Sequence, residues 1–435
     1  MKTGSQERGA VDGRRIAIIG GGSTYTPELI EGFIHEEGAL SIERLALMDI
    51  DPARLDIVGR FAQCMVDAAG SGIRLVSTTD RREALDGADI VLTQIRVGGM
   101  EARIRDERIP LRHGVIGQET TGPGGFAKAL RTIPVMLDIA ADMARWAPNA
   151  RLINFTNPSG LLTEAVLTHT DVECIGLCNS PRGALRSIAG ILDVDPQRLR
   201  LDMVGLNHLN WVRGVELDGR DVMDDVLEGA IAAELLPQFA PEYLRAMRML
   251  PSYYLDYYVN TDRVLDEQRA ATKTRGEIVL DVERQLLDMY RDESLVTKPP
   301  QLEQRGGAHY ADAAIDLIRA LESDGGDVQI VNTTNQGAIP DLPDDVVVEV
   351  PCTVDRSGVR PMPTRSLPPE IRGLVHAVKA YEQLTIRAGV EGDERAALLA
   401  LAAHPLVPSF DVAKRLWTDI RTENAPWLPQ FREAA

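Results

Sequence analysis

Cys178-Asn179-Ser180-Pro181 and, about thirty residues on, Gly205-Leu206-Asn207-His208 put a thiol and an imidazole at the ends of two predicted strands. Strand ends are where α/β folds open their ligand crevices. A thiolate and an imidazole together suit a divalent transition metal. A small buried cysteine and a hydrogen-bonded histidine satisfy the same spacing. A second constellation opens the chain: Gly20-Gly21-Gly22-Ser23-Thr24 follows the apolar run RIAIIG. Gly20 and Gly22 supply the first two glycines of G-x-G-x-x-G, and Tyr25 stands at the third position. Backbone amides of such a turn, at a helix N-terminus, hold a pyrophosphate that glycines allow to come close. Asp49 ends the second predicted strand, where a carboxylate accepts hydrogen bonds from adenosine ribose hydroxyls. That favours NAD over NADP, whose 2′-phosphate an aspartate repels. A tight turn that binds nothing is the competing reading.

Four further groups have chemical potential. Asn154-Phe155-Thr156-Asn157-Pro158 follows another strand. Its amides can meet a nicotinamide or sugar hydroxyls, or Asn and Pro can simply build the turn. Glu119 sits in the polar, glycine-rich loop QETTGPGG (118–125). Arg96 closes the strand before it, and a guanidinium beside a crevice can hold an anionic group. Tyr253-Tyr254-Leu255-Asp256-Tyr257-Tyr258 gathers four of the nine tyrosines. A phenol with a pKa of roughly 10 becomes a base near neutrality only beside a cation. An amphipathic helix burying its rings explains the cluster equally well.

The elements that must position these residues alternate. Apolar runs at 15–20, 45–50, 74–77, 90–95, 152–155 and 174–177 read as strands. Helices are expected at 26–33, at 52–69 behind Pro52, at 126–146 and at 160–167. The pattern is that of a Rossmann-like parallel α/β sheet. It changes near residue 200. Asp218-Gly219 within 213–222 signals a hairpin, helices dominate 226–290, 346–354 is a strand and 369–401 is helical. The expected organisation is a disordered start at 1–14, a dinucleotide-binding domain at 15–200, and a mixed α+β substrate and oligomerisation domain at 201–435.

The 435 residues carry a formal charge of −18, with 44% hydrophobic and 26% charged residues. This is the composition of a globular enzyme and not of a nucleic-acid binder, which needs a basic patch. No apolar run spans a bilayer, and the polar N-terminus has no signal-peptide core. Cys64, Cys174, Cys178 and Cys352 are too sparse for a disulfide framework. A reducing cytoplasm is the expected setting.

Taken together, the motifs resemble glycoside hydrolase family 4, the NAD- and metal-dependent glycosidases, which stand outside two-carboxylate glycoside hydrolysis. The resemblance runs through IIGGGSTYTPEL (18–29), GQETTGPGGFAKALR (117–131), INFTNPSG (153–160), GLCNSP (176–181) and GLNHL (205–209). It continues through YLDYY (254–258), RGGAHY (305–310), VNTTNQGAI (331–339) and LPDDVVVEVPC (342–352). It is most like the 6-phospho-β-glucosidase branch. The resemblance implies that Cys178 and His208 hold a divalent metal, typically Mn²⁺, and that Tyr254 is the catalytic base. It implies NAD on Gly20, Gly22, Ser23, Thr24 and Asp49. It makes Glu119 and Asn157 sugar contacts, with Arg96 and Arg275 as substrate or phosphate contacts. Asp256 stands where Y-L-R-Y-Y has arginine, which removes a cation expected near the site. The implied partner is a small glycoside, 6-phosphorylated, handled by a homo-oligomer, dimer or tetramer.

The implied reaction oxidises C3, removes the C2 proton, eliminates the C1 oxygen, adds water and returns the hydride. It has no net redox change. Three alternatives stand beside it. One is an NAD-dependent dehydrogenase of a small hydroxy acid, which would accumulate NADH. Another is a family 4 glycosidase of a non-phosphorylated sugar. The third is a sugar or nucleotide sensor without turnover, which has no use for a C2 base.

Overall fold

The computed structural model describes residues 13–305 and 310–432. Most of the expected disordered start, and 306–309 of RGGAHY, lie outside the described residues. Six strands pair in parallel: β1 (Arg14–Ile19), β2 (Ile42–Met48), β3 (Arg74–Thr78), β4 (Ile90–Thr93), β5 (Arg151–Asn154) and β6 (Cys174–Gly176). They read almost continuously apolar because helices cover both faces of the sheet. Their order is β3-β2-β1-β4-β5-β6. This is the doubly wound dinucleotide-binding order, and the crevice lies where β1 and β4 diverge.

A separate antiparallel sheet follows: β7 (Leu199–Leu206), β8 (Leu209–Leu217), β9 (Arg220–Asp221) and β10 (Leu250–Pro251). The expected hairpin is the β8–β9 turn, with Asp218 and Gly219 at φ 51° and 79°. The chain then returns to the first sheet. β11 (Asp327–Thr334), β12 (Val347–Asp355) and β13 (Gly358–Pro361) add antiparallel to the β6 edge, making nine strands. Strands from both halves of the chain therefore share one sheet, and β7 packs alongside β12.

Several local expectations shift. The helix expected over 369–401 is two, Pro369–Glu391 and Glu394–Ala403, broken where Gly392 turns left-handed at φ 69°. The strand β11 and the helix Gly99–Arg112 were not anticipated. That helix is bound to the helix Gly122–Trp146 by a buried ion pair. Arg131, 1% exposed, donates to both oxygens of Asp106 at 2.8 and 2.6 Å and to Asn424 at 2.8 Å. Two helices that each bring a cation to the site are thereby fixed to each other. Among the described residues, no helix is long and apolar enough to cross a membrane.

Candidate active site

One cavity of about 880 Å³ opens at the carboxyl ends of the parallel strands. It begins at the glycine turn after β1. Gly20 has φ +95°, and a Cβ there would lie 2.8 Å from the Gln94 carbonyl oxygen. A Cβ on Gly22 would lie 2.9 Å from the Asp49 carboxylate. Asp49 accepts from the Gly22 amide at 2.9 Å and the Asp51 amide at 3.0 Å, so it pins the turn while also lining the cavity. Gly20, Ser23 and Asp49 line the cavity; Gly22 and Thr24 are not among its walls. Thr24 is fully buried, and its carbonyl accepts from Tyr290 at 2.9 Å. The turn leads into the helix Thr26–His35, as an anion-holding turn requires.

The thiol and the imidazole both line the same cavity. Cys178 follows β6, with its sulfur 3.2 Å from Ser180 Oγ. His208 occupies the tight turn between β7 and β8, at φ 62°. Its Nδ1 is 3.1 Å from Thr120 Oγ1. Gly205, at φ +142°, permits the turn; a Cβ there would come within 2.2 Å of the Leu209 carbonyl oxygen. Burial, and then the positive charge of Lys128, pushes the His208 imidazole down to about 3, so it is neutral and a competent ligand. Burial, and then Glu349, pushes the Cys178 thiol up to about 12. A nearby cation is what can ionise it. Among the described residues, no group of three or more His, Cys, Asp or Glu gathers to cage a metal. A sulfur and a neutral nitrogen on one cavity fit a divalent ion whose remaining positions stay open to substrate oxygens and water.

Tyr254 lies against the imidazole, ring centroids 3.7 Å apart and planes 13° from parallel. Tyr253 stacks on its outer side at 4.2 Å. The cluster is a 3₁₀ turn, Tyr253–Leu255, running into a short helix, Asp256–Val259. Burial, with Tyr253 and Cys178 adding, holds the Tyr254 phenol well above its ordinary value. Asp256 points elsewhere: it pairs with Arg263 at 2.6 Å and is absent from the cavity wall. Asp256 itself therefore contributes no side chain to the cavity wall.

Between these ends lies a charged cluster. The Glu119 carboxylate pairs with Arg96, with Arg103 at 2.9 Å and with Lys128 at 2.9 Å. Burial opposes its charge, but the three cations outweigh burial and hold its carboxyl well below the usual range. Burial, then Arg96, lowers the Lys128 amine to about 8. Glu119 and Arg96 thus engage each other. Arg103 and Lys128 escaped the sequence reading, although Lys128 lies within GGFAKALR on the helix that the glycine-rich loop begins. Arg275 also lines the cavity, at the first turn of a helix capped by Thr274, and donates to the Gln304 carbonyl at 2.9 Å. Asn157 lines it too, its amide donating to the Phe155 carbonyl at 3.3 Å.

Glu349 was also missed. Fully buried on β12, it accepts from Asn207 at 3.2 Å, Asn332 at 2.9 Å and Asn210. Burial pushes its carboxyl up to about 7, although the three amides oppose the rise. A lone glutamate inside the apolar run VVVEVPC is the signal that could have found it. It holds the residue before His208.

Residues 15–194 match the model of family 4 glycosyl hydrolases, and residues 203–407 match the model of that family's C-terminal domain. The chain belongs to glycosyl hydrolase family 4. A "Probable 6-phospho-beta-glucosidase" of Bacillus subtilis is 45% identical over 96% of this chain and 98% of its own. The 6-phospho-beta-glucosidase of Escherichia coli is 40% identical over 96% and 97%. The structure of the Thermotoga maritima 6-phospho-beta-glucosidase with manganese, NAD⁺ and glucose-6-phosphate matches with a TM-score of 0.89 at 36% identity. It covers 95% of this chain and 99% of that one. As a family 4 member, this chain carries its thiol just past a strand of the Rossmann-like sheet and its imidazole on the hairpin of the antiparallel sheet.

Proposed function

We propose that the protein hydrolyses 6-phospho-β-glucosides, using NAD and a divalent metal ion, most simply Mn²⁺. The observation that carries this reading is the convergence of Cys178, His208 and Tyr254 on a cavity that runs to the Gly20 turn. When bound, the dinucleotide supplies reversible removal of the C3 hydride, and an ion held by Cys178 and His208 supplies positive charge that acidifies the C2 proton and the Tyr254 phenol. Tyr254 takes the C2 proton, after which the C1 oxygen departs by elimination. Asp49 and the turn at Gly20 to Thr24 hold the dinucleotide, and Asn157 and Glu119 orient the sugar. Arg96 and Arg275 receive the 6-phosphate. In support, Arg96, Arg103 and Lys128 all pair with Glu119, and with Glu107 also held by Arg103 the cluster has one more cation than carboxylates. The Cys178 role requires a reduced thiol, which fits a cytoplasmic enzyme. As the family resemblance implies, we take it to work as a homo-oligomer.

Hydrolysis of p-nitrophenyl 6-phospho-β-glucoside, beside its non-phosphorylated analogue, tests the reading. Nitrophenol release should need both NAD⁺ and Mn²⁺ and leave no net NADH. NADH formed in proportion to substrate would make the protein a dehydrogenase. Equal turnover of the analogue would remove the 6-phosphate from the substrate class.

A further inference from the structure

One buried carboxylate ties the strand that leads to the thiol to the hairpin that carries the imidazole. Glu349 lies on β12, fully buried, and is not part of the cavity wall. One of its oxygens accepts from Asn207 at 3.2 Å and from Asn332 at 2.9 Å, and the other accepts from Asn210. Asn207 and Asn210 flank His208 in the β7–β8 hairpin. Asn332 stands opposite Gly176 where β11 pairs with β6, two residues before Cys178, and donates to the Gly176 carbonyl at 3.4 Å. Glu349 therefore grips the His208 hairpin of one sheet and the Cys178 strand of the other.

Asn207 completes the link. Its side-chain carbonyl accepts from the Ser159 amide at 3.2 Å, which turns its NH₂ towards Glu349. The same side chain hydrogen-bonds the Cys178 sulfur, which favours the thiolate. The asparagines rest on bare backbone. A Cβ on Gly160 would lie 3.0 Å from Asn207 Cβ, and one on Gly176 would lie 2.8 Å from Asn332 Cβ.

We propose that Glu349 and Asn207 are positioning residues of the metal site and set the spacing of Cys178 and His208. Neither lines the cavity, so both act through the two ligands. The inference rests on the metal ion in the reading above. An ion held by only two protein atoms does little to draw them together, so their spacing has to be built into the fold. A carboxylate suits the hub because it is an acceptor only, with room for three N–H donors. Buried and fully bonded, such a network holds one arrangement.

The test is calorimetric titration of MnCl₂ into the NAD⁺-bound protein, with NAD⁺ affinity measured separately. Glu349→Leu keeps the bulk and offers no acceptor. Mn²⁺ affinity should fall by about 10–100-fold, while NAD⁺ affinity stays within about threefold of wild type. Asn207→Ala should do the same. The double variant should lose less than the product of the two single losses, because the residues act in one chain of bonds. Glu349→Gln restores an acceptor for Asn207 and Asn332 if Asn210 turns its amide round, and should return Mn²⁺ affinity to within about threefold of wild type. If Glu349→Leu does not fold, Asn210→Ala frees the hairpin from Glu349 without touching Cys178, and the same loss is expected. Unchanged Mn²⁺ affinity in these variants would overturn the proposal. So would equal losses of Mn²⁺ and NAD⁺ affinity, the mark of a general structural defect. A Glu349→Gln protein as weak as Glu349→Leu would overturn it too, by assigning the effect to charge. Wild type that binds no Mn²⁺ would remove the functional reading and this proposal together; wild-type binding that the variants leave unaltered removes this proposal alone.

Discussion

The imidazole of His208 and the phenol ring of Tyr254 lie face to face, 3.7 Å between centroids and 13° from parallel. The stack fixes the phenol beside one of the two groups that fit a metal. It is also why the tyrosine can be tested without moving the ring. Tyr254→Phe keeps the stack and deletes only the O–H. In the proposed reaction it should lower kcat by about 10²–10⁴-fold. NAD and Mn²⁺ affinity should stay within a few-fold of wild type. Exchange of solvent deuterium into C2 should vanish with turnover. Retention of full activity would remove Tyr254 as the base.

Thr120 offers a separate test of metal binding. Its Oγ1 is 3.1 Å from Nδ1 of His208, so it sets which ring nitrogen faces the cavity. Partners of this kind typically affect metal affinity by about 10–100-fold. Thr120→Val should weaken Mn²⁺ binding by that factor, and Cys178→Ser should weaken it further. Because burial pushes the Cys178 thiol up to about 12, Mn²⁺ binding to wild type near neutral pH should release a proton that Cys178→Ser does not. Calorimetry in buffers of different ionisation enthalpy reads that proton directly.

How far the chain could be read depended on where its chemistry is buried. β1, β2 and β4 to β6 were legible because parallel strands covered on both faces are continuous apolar runs, ended at β1, β2 and β5 by Gly20, Asp49 and Asn154. The helix Gly99–Arg112 was not. Arg103, Asp106 and Glu107 are buried on it through ion pairs, so its inward face reads as polar. The same concealment hid Arg103 as a partner of Glu119. β11 was missed for a related reason: Asn332, fully buried there, is a polar residue whose amide donates to Glu349. Cys178, His208 and Tyr254 could be named from motifs. Their gathering on one cavity could not, since it depends on a left-handed turn at His208 and on the pairing of β10, just before Tyr254, with β8.

That turn makes its own prediction. Gly205 tolerates φ +142°, and a Cβ would lie 2.2 Å from the Leu209 carbonyl oxygen. Gly205→Ala must strain or open the β7–β8 turn, at a cost of about 1–3 kcal/mol. Chemical denaturation should show that loss. Mn²⁺ affinity should fall with it, because the displaced residue is His208. Gly214→Ala, on the same hairpin but with its nearest neighbour 3.6 Å from the added Cβ, should change neither by comparable amounts.

Acid should unfold this protein partly through His404. It is 1% exposed, its Nδ1 accepts from the Leu406 amide at 3.1 Å, and its ring meets Tyr381 edge-on at 4.5 Å. Burial pushes its imidazole from the usual 6.5 down to about 3. The folded state therefore keeps it neutral, while the unfolded chain takes up a proton near 6.5. This contribution to stability is complete above about 6.5 and is lost as pH falls towards about 3. Within that window each pH unit costs about 1.4 kcal/mol. His404→Asn can still accept from the Leu406 amide but does not titrate. Urea unfolding at about pH 6.5 and about pH 5 should show wild type losing about 1.6 kcal/mol more than His404→Asn over that step. The comparison uses the slope with pH, so any packing lost in the smaller side chain cancels. Equal slopes would mean that burial does not shift the titration of this imidazole between the folded and unfolded chain.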